Sequence, residues 1–183
     1  MSGLAKWHGA QLLLAFPVEV AGAITSELHL NNGALYNSYM LIEFFIVLRM
    51  LHHIVPLHRT LWVACACAGT AALLVDFIFA GTLAYLLTRG ILVVAFILTG
   101  LTIRTLWTVA SSGQEDLPRS YTFWLLASML VYFGALTPII ATEPIVHASL
   151  PKLANSLYLL LQVLCVARYL LAAFALRFAP IQL

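Results

Sequence analysis

The sequence predicts an all-α, polytopic integral membrane protein: a bundle of six transmembrane helices with both termini in the cytoplasm. Hydrophobic residues make up 63% of the 183 residues and charged residues only 9%, whereas a soluble domain carries about 25% charged residues. Six apolar segments approach the roughly 20 residues that a helix needs to cross the hydrocarbon. The basic residues concentrate on one side of these segments. Residues 1–183 are therefore predicted to form a single transmembrane domain.

Short polar or turn-forming segments separate the predicted spans, which cover residues 7–26, 34–55, 60–80, 84–107, 121–141 and 152–177. The first two spans flank the polar segment "SELHLNNG" at 26–33. The apolar run 60–107 is too long for one span, and Ala80-Gly81-Thr82 supplies small residues for a tight reversal. The later linkers are "SSGQEDLPRS" at 111–120 and "TEPIVHASLPK" at 142–152, whose two prolines are expected to end a helix.

The orientation is predicted from the distribution of lysine and arginine. With six spans both termini share a side, and that side receives seven basic residues, Lys6, Arg49, Arg59, Arg104, Arg119, Arg168 and Arg177, against Arg89 and Lys152 on the other. The positive-inside rule makes the seven-residue side cytoplasmic and favours the cell (inner) membrane as the location. A net charge of +2 without a basic run argues against a nucleic-acid partner.

The apolar run "LYNSYMLIEFFIVLRM" (35–50) carries a glutamate near its centre. At about 100° per residue, Tyr36, Tyr39 and Glu43 fall within about 60° of one another on one helix face. Glu43 lies about 15 Å from the outer end of its span, near the bilayer centre, where an ionisable group costs at least ~2.5 kcal/mol and normally faces the bundle. We therefore expect Glu43 to be a buried hydrogen-bonding centre with the tyrosines as donors.

Other spans carry polar residues on one face. Glu19 lies on a small-residue face of the first span, Tyr132 shares a face of the fifth span with other polar residues, and Asn155, Tyr158 and Gln162 share a face of the sixth. The predicted ligand-binding set is therefore Glu43, Glu19, Tyr36, Tyr39, Tyr132 and Gln162. The alternative is that these residues only hold helices together, at perhaps 0.6 to 2 kcal/mol per interhelical bond.

Asp76 and Arg89 lie about equally far from the predicted reversal at 82–83, so they are expected at one depth on adjacent antiparallel helices, where they can form an ion pair.

The histidines His52, His53 and His58 cluster at the cytoplasmic end of the second span. Haem in a membrane bundle needs histidines that face one another well inside the bilayer, and His8 is the one histidine of another span near that level. The cluster and His8 are all expected at the membrane edge, so interfacial histidines are the favoured interpretation. No metal site is predicted, and the sequence identifies no cofactor. The chain carries no recognisable catalytic motif, so an enzyme has no support and no catalytic residue is predicted.

The leading functional hypothesis is a non-enzymatic membrane module that binds a small molecule, a lipid or a proton in an intramembrane pocket, as a sensor or as an accessory or transport subunit. It would act as a homo-oligomer or with a partner membrane protein. The alternatives are a small channel or transporter in its own right, or a membrane-embedded enzyme or haem-binding subunit.

A first-span glutamate followed by "NNGALYNSYMLIEFF", "FWLLASMLVYFGAL" and "NSLYLLLQVL" resembles a group of small multi-pass membrane proteins of Bacteroidota-type bacteria. The group has no assigned activity, so the resemblance implies no catalytic residue. It singles out Glu19, Tyr36, Tyr39, Glu43, Trp124 and Tyr132 as positions of interest.

Overall fold

The computed structural model is all-helical over the residues it describes, which are 3–113, 116–149 and 151–179; the side chains at 143–145, 147–149, 151–152, 154–155 and 158 lie outside the description. Within this part the helices are α1 (Gly3–Glu27), α2 (Gly33–Ile54), α3 (Arg59–Ala80), α4 (Thr88–Ser111), α5 (Tyr121–Ser149) and α6 (Pro151–Ala175), with single 3₁₀ turns at Leu117–Arg119 and Leu176–Phe178. Each of the six contains a segment long and apolar enough to cross a membrane. The prediction of an all-α, multi-pass membrane protein is confirmed at this level.

The connection between α3 and α4 is longer than predicted. Gly81 ends α3 in the left-handed conformation (φ 67°), and its N–H donates to the Phe77 carbonyl at 2.9 Å. Glycine adopts this conformation without steric cost. The chain then takes residues 81–87 to reverse, so α4 begins at Thr88 and not at 84.

The helix α5 continues through most of the segment predicted as a loop. Residues 142–149 are helical, with Pro138 and Pro144 inside the helix. The predicted loop at 142–152 is therefore wrong over 142–149. A proline removes one backbone donor, and membrane helices tolerate that loss where neighbouring groups compensate. The Thr142 hydroxyl donates to the Pro138 carbonyl at 2.8 Å in this stretch.

The chain divides into two compact units, residues 1–94 and 95–183, and the boundary falls inside α4. In the first unit α1 packs on α2 and α2 packs on α3. The core side chains of α2 are fully buried, among them Phe44, Val47 and Leu51. The Phe44 ring lies directly over Gly69 of α3, where an added Cβ would come 2.5 Å from Cζ. A glycine at 69 is what lets the ring reach the α3 backbone.

In the second unit α5 pairs with α6. The buried side chains of α5 include Leu125, Met129 and Phe133, and α6 contributes small residues such as Ala172. Small residues allow two membrane helices to approach closely.

Candidate functional site

Glu43 lies at the centre of a buried hydrogen-bonded cluster in the first unit. Its side chain is 0% exposed. Its Oε1 accepts two hydrogen bonds, one from Gln11 Nε2 of α1 at 2.9 Å and one from the Tyr39 hydroxyl at 3.0 Å. The carboxyl therefore faces protein, in the direction that the helical spacing of α2 predicts.

The positions of the two donors follow from helix geometry. Tyr39 precedes Glu43 by four residues, so the two side chains lie one above the other on the same face. Gln11 reaches Glu43 from the neighbouring helix, because α1 and α2 run antiparallel: Gln11 is level with Glu43, and Gly3 is level with His53 further along.

The phenol of Tyr36 lies two turns from Glu43 and packs on the main chain of α1 at Gly22. A Cβ at Gly22 would collide with the Tyr36 hydroxyl oxygen, so the glycine makes room for this half-buried tyrosine. Glu19 is half-buried on α1. It lies eight residues along the helix from Gln11, or about 12 Å. Of the predicted set, the structure brings Tyr39 into contact with Glu43 and leaves Tyr36 and Glu19 at a greater distance along the interface.

Sequence reasoning missed Gln11, the partner of Glu43 on α1. The signal was present, because Gln11 lies within about 40° of Ala15 and Gly22 on the helix, and the structure buries all three. Extending that small-residue face by one turn towards the N-terminus would have included the glutamine.

His8 is buried on the same face of α1, one turn before Gln11, with 1% of its surface exposed. The sequence predicted an interfacial histidine. The structure buries its side chain against protein, five residues after the start of α1 at Gly3.

The other predicted residues, Tyr132 and Gln162, belong to the second unit. The Tyr132 ring stacks beneath the guanidinium of Arg168, with Arg168 Cζ 4.3 Å from the ring centroid. Gln162 is exposed on α6 and does not turn inward as predicted. Asn155 and Tyr158, which were grouped with it, have side chains outside the described part.

Arg168 is another buried ionisable residue, and sequence reasoning counted it among the basic residues of the terminal side without foreseeing its burial. It is 3% exposed and lies seven residues before the end of α6. Besides Tyr132, the Phe133 ring centroid lies 5.2 Å from Arg168 Cζ. A guanidinium over aromatic faces gains cation–π energy that is larger when desolvated, which offsets part of the cost of burying it.

The predicted ion pair between Asp76 and Arg89 does not form. Asp76 Oδ2 accepts a hydrogen bond at 2.9 Å from the backbone N–H of Gly90, while the Arg89 side chain is exposed. The depth argument was sound, since the carboxylate reaches the residue next to Arg89. The N–H groups of the first helical turn lack intrahelical partners and attract a negative charge, so the carboxylate bonds to the start of α4.

Asn37 holds the 81–87 connection, a role that the sequence did not reveal. Its Nδ2 donates to the carbonyls of Tyr85 at 2.8 Å and Leu83 at 3.3 Å, and its Oδ1 accepts from the Leu87 N–H at 3.0 Å. This buried amide satisfies three backbone groups of a non-helical segment, which buried main chain requires.

Two histidines of the predicted edge cluster make local backbone contacts. His52 Nδ1 accepts from the Leu57 N–H at 3.1 Å, and His58 Nδ1 accepts from the Thr60 N–H at 3.4 Å at the start of α3. In the described part of the chain, no three His, Cys, Asp or Glu side chains are grouped so that they could hold a metal ion.

Compared with protein-family models, curated proteins and solved structures, the chain has no match. The resemblance to small bacterial membrane proteins therefore stays a prediction, and the argument for function rests on the geometry around Glu43.

Proposed function

We propose that the protein is an integral membrane module whose Glu43 binds and releases a proton, and that it works as a sensor or as an accessory or transport subunit. The observation that carries the proposal is the complete burial of Glu43 together with two hydrogen-bond donors on one of its oxygens. An ionisable residue inside a membrane bundle is a functional candidate by default.

Both charge states of Glu43 have physical support in this environment. An oxygen of the carboxylate and the carbonyl oxygen of the neutral acid can each accept the hydrogen bonds that Gln11 and Tyr39 donate to Oε1. Either form of Glu43 therefore keeps both donors.

The closed geometry favours a proton over a small molecule or a lipid as the ligand. Glu43 has no exposed surface, and the donors on Oε1 come from α1 and from its own helix. A larger ligand would have to part α1 from α2 and break the Gln11 bond, whereas a proton needs only a local shift of hydrogen bonds.

We further propose that both termini are cytoplasmic and that the protein resides in the inner membrane. The support is the asymmetry of basic residues. Removing the buried Arg168 from the seven on the terminal side leaves six, against Arg89 and Lys152 on the other, which is still a positive-inside pattern.

Infrared difference spectroscopy on the reconstituted protein tests the proton site. A neutral carboxyl has a C=O stretching band that disappears on ionisation, so a pH titration of the wild type should show a band that Glu43→Gln removes. The matched control is Glu27→Gln, the same substitution at an exposed position at the end of α1; it should leave the band unchanged. A band that survives Glu43→Gln would refute the assignment.

Proton flux into vesicles that enclose a pH-sensitive dye separates the two proposed roles. A transport subunit moves protons down an imposed gradient and loses that flux in Glu43→Gln. A sensor binds the proton without net flux.

A further inference from the structure

We infer that protons reach Glu43 from the end of the α1–α2 pair that carries Gly3 and His53, and that His8 is the relay on this route. The inference rests on the proposed function, because it names the path that serves the same carboxyl.

The antiparallel register of α1 and α2 sets the order of the groups along the helix axis. Gln11 contacts Glu43, and the Gly3 position lies against the His53 ring, 3.2 Å from a Cβ built on that glycine. Along α1, His8 lies about 4.5 Å from the level of Gln11 and about 7.5 Å from the level of Gly3. The level of the His8 imidazole on α1 therefore falls between the level of the buried carboxyl and that of the exposed His53.

Histidine suits this position because its two ring nitrogens can act at once. One nitrogen takes up a proton from the His53 side through bridging water, and the other releases its own proton towards the Glu43 carboxylate. The imidazole is left neutral in the other tautomer, and exchange between the tautomers resets it. One proton enters and one leaves, so no co-reactant is needed.

The opposite end of the interface has a different set of buried residues on α1. Beyond Gln11 these are Ala15 and Gly22, which carry no group that can bind a proton, and the Tyr36 phenol packs on the main chain at Gly22. On the His53 side of Gln11 the buried residue of α1 is His8.

The other titratable groups of α1, α2 and α3 are less suited to this route. On α1, Lys6 is exposed and Glu19 is half-buried on the Tyr36 side of Glu43. On α3, Cys65 is half-buried, and Asp76 bonds to the Gly90 N–H. From α2 itself, Tyr39 contacts Glu43 and the remaining groups are Tyr36, Arg49, His52 and His53. His8 is the group that combines burial with a place between Glu43 and His53.

The experiment is a pH jump on the full chain in lipid nanodiscs, with the Glu43 carboxyl band followed in time by infrared spectroscopy. His8→Gln should slow the appearance of the band about a hundredfold, the usual scale for loss of a positioned acid–base group, while its final amplitude stays that of the wild type. His53→Gln changes an exposed residue and so keeps the fold; it should also slow the band, and imidazole in the buffer should restore the rate.

Two controls separate the route from general effects. Tyr36→Phe changes the opposite end of the interface and should leave the rate unchanged. His29→Asn removes an exposed histidine at a positive φ of 54° that asparagine tolerates, and it should also have no effect.

Wild-type rates in both His8→Gln and His53→Gln would overturn the relay while leaving the proton site intact. If the carboxyl band appears slowly in Tyr36→Phe and at the wild-type rate in His53→Gln, protons enter from the Tyr36 end, and this result would also overturn the relay. If the wild type shows no pH-dependent band that depends on Glu43, the proposed function fails, and the relay fails with it.

Discussion

Replacing Tyr39 by phenylalanine removes one hydroxyl from the Glu43 cluster and should lower the free energy of unfolding by an amount that reports the charge of Glu43. The hydroxyl donates to Glu43 Oε1 at 3.0 Å, and both side chains are buried. A neutral hydrogen bond contributes about 0.5–1.5 kcal/mol, and a bond to a charged group about 1.5–3 kcal/mol. Oε1 keeps the Gln11 donor in the variant, so the loss should stay within these ranges.

The assay is reversible unfolding in mixed detergent micelles at a low and a high pH. We expect Tyr39→Phe to cost about 1 kcal/mol where Glu43 is neutral and about 2 kcal/mol where it is ionised. The bond to a carboxylate is the stronger one, so the cost should rise with pH. Tyr85→Phe is the matched control, because the Tyr85 side chain is 71% exposed, and it should change stability at neither pH.

Two results would refute this reasoning. Equal stability of Tyr39→Phe and Tyr85→Phe at both pH values would mean that the hydroxyl contributes nothing to the cluster. A cost that falls as the pH rises would contradict the idea that the phenol stabilises the ionised carboxyl.

Two further substitutions test the packing that holds the first unit together, by the same unfolding assay. Asn37→Ala removes three hydrogen bonds to the 81–87 connection and should lower the free energy of unfolding by about 2–3 kcal/mol. Asn32→Ala is the control, because the Asn32 side chain makes no capping bond, and it should cost far less. Equal costs would show that the Asn37 side chain does not hold the connection. Gly90→Ala would bring a Cβ to 2.8 Å from the Leu73 Cα and should lower the free energy of unfolding by about 1–3 kcal/mol. Gly100→Ala is the control: its Cβ meets nothing within 4 Å, so the change should be neutral or slightly stabilising. Unchanged stability in Gly90→Ala would contradict the close approach of α3 and α4.

The sequence was sufficient for the class of fold because that inference needs only composition and segment length. The bounds of α2 and α3 came within one residue of the prediction, since polar or glycine-containing segments flank both helices. The start of α4 was four residues out. The position of this start depends on Asn37, which binds backbone groups 46 to 50 residues further along the chain. A local sequence pattern does not predict a contact over that separation. The continuation of α5 past Pro144 was missed because proline in isolation favours termination.

The candidate site was half predictable for a related reason. The spacing of Tyr39 and Glu43 is a property of one helix, and helical geometry alone brings them together. Predicting the contact of Gln11 with Glu43 requires the register between α1 and α2. In the structure the Gly22–Tyr36 and Gly3–His53 contacts define that register. Arg168 was counted among the basic residues of the terminal side because charge counting ignores burial, and the fold buries it seven residues before the end of α6.

Glu43 and Arg168 show how each unit offsets the cost of burying an ionisable side chain by different chemistry. A carboxyl needs donors, and Glu43 receives them from the amide of Gln11 and the phenol of Tyr39. A guanidinium keeps its charge at any accessible pH, and Arg168 lies over the faces of Tyr132 and Phe133, which stabilise a permanent cation. A carboxyl has a neutral and a charged form, whereas a guanidinium does not lose its proton in a protein. This difference is why the proposed function is assigned to the Glu43 cluster, while the aromatic contacts of Arg168 are assigned to the pairing of α5 with α6.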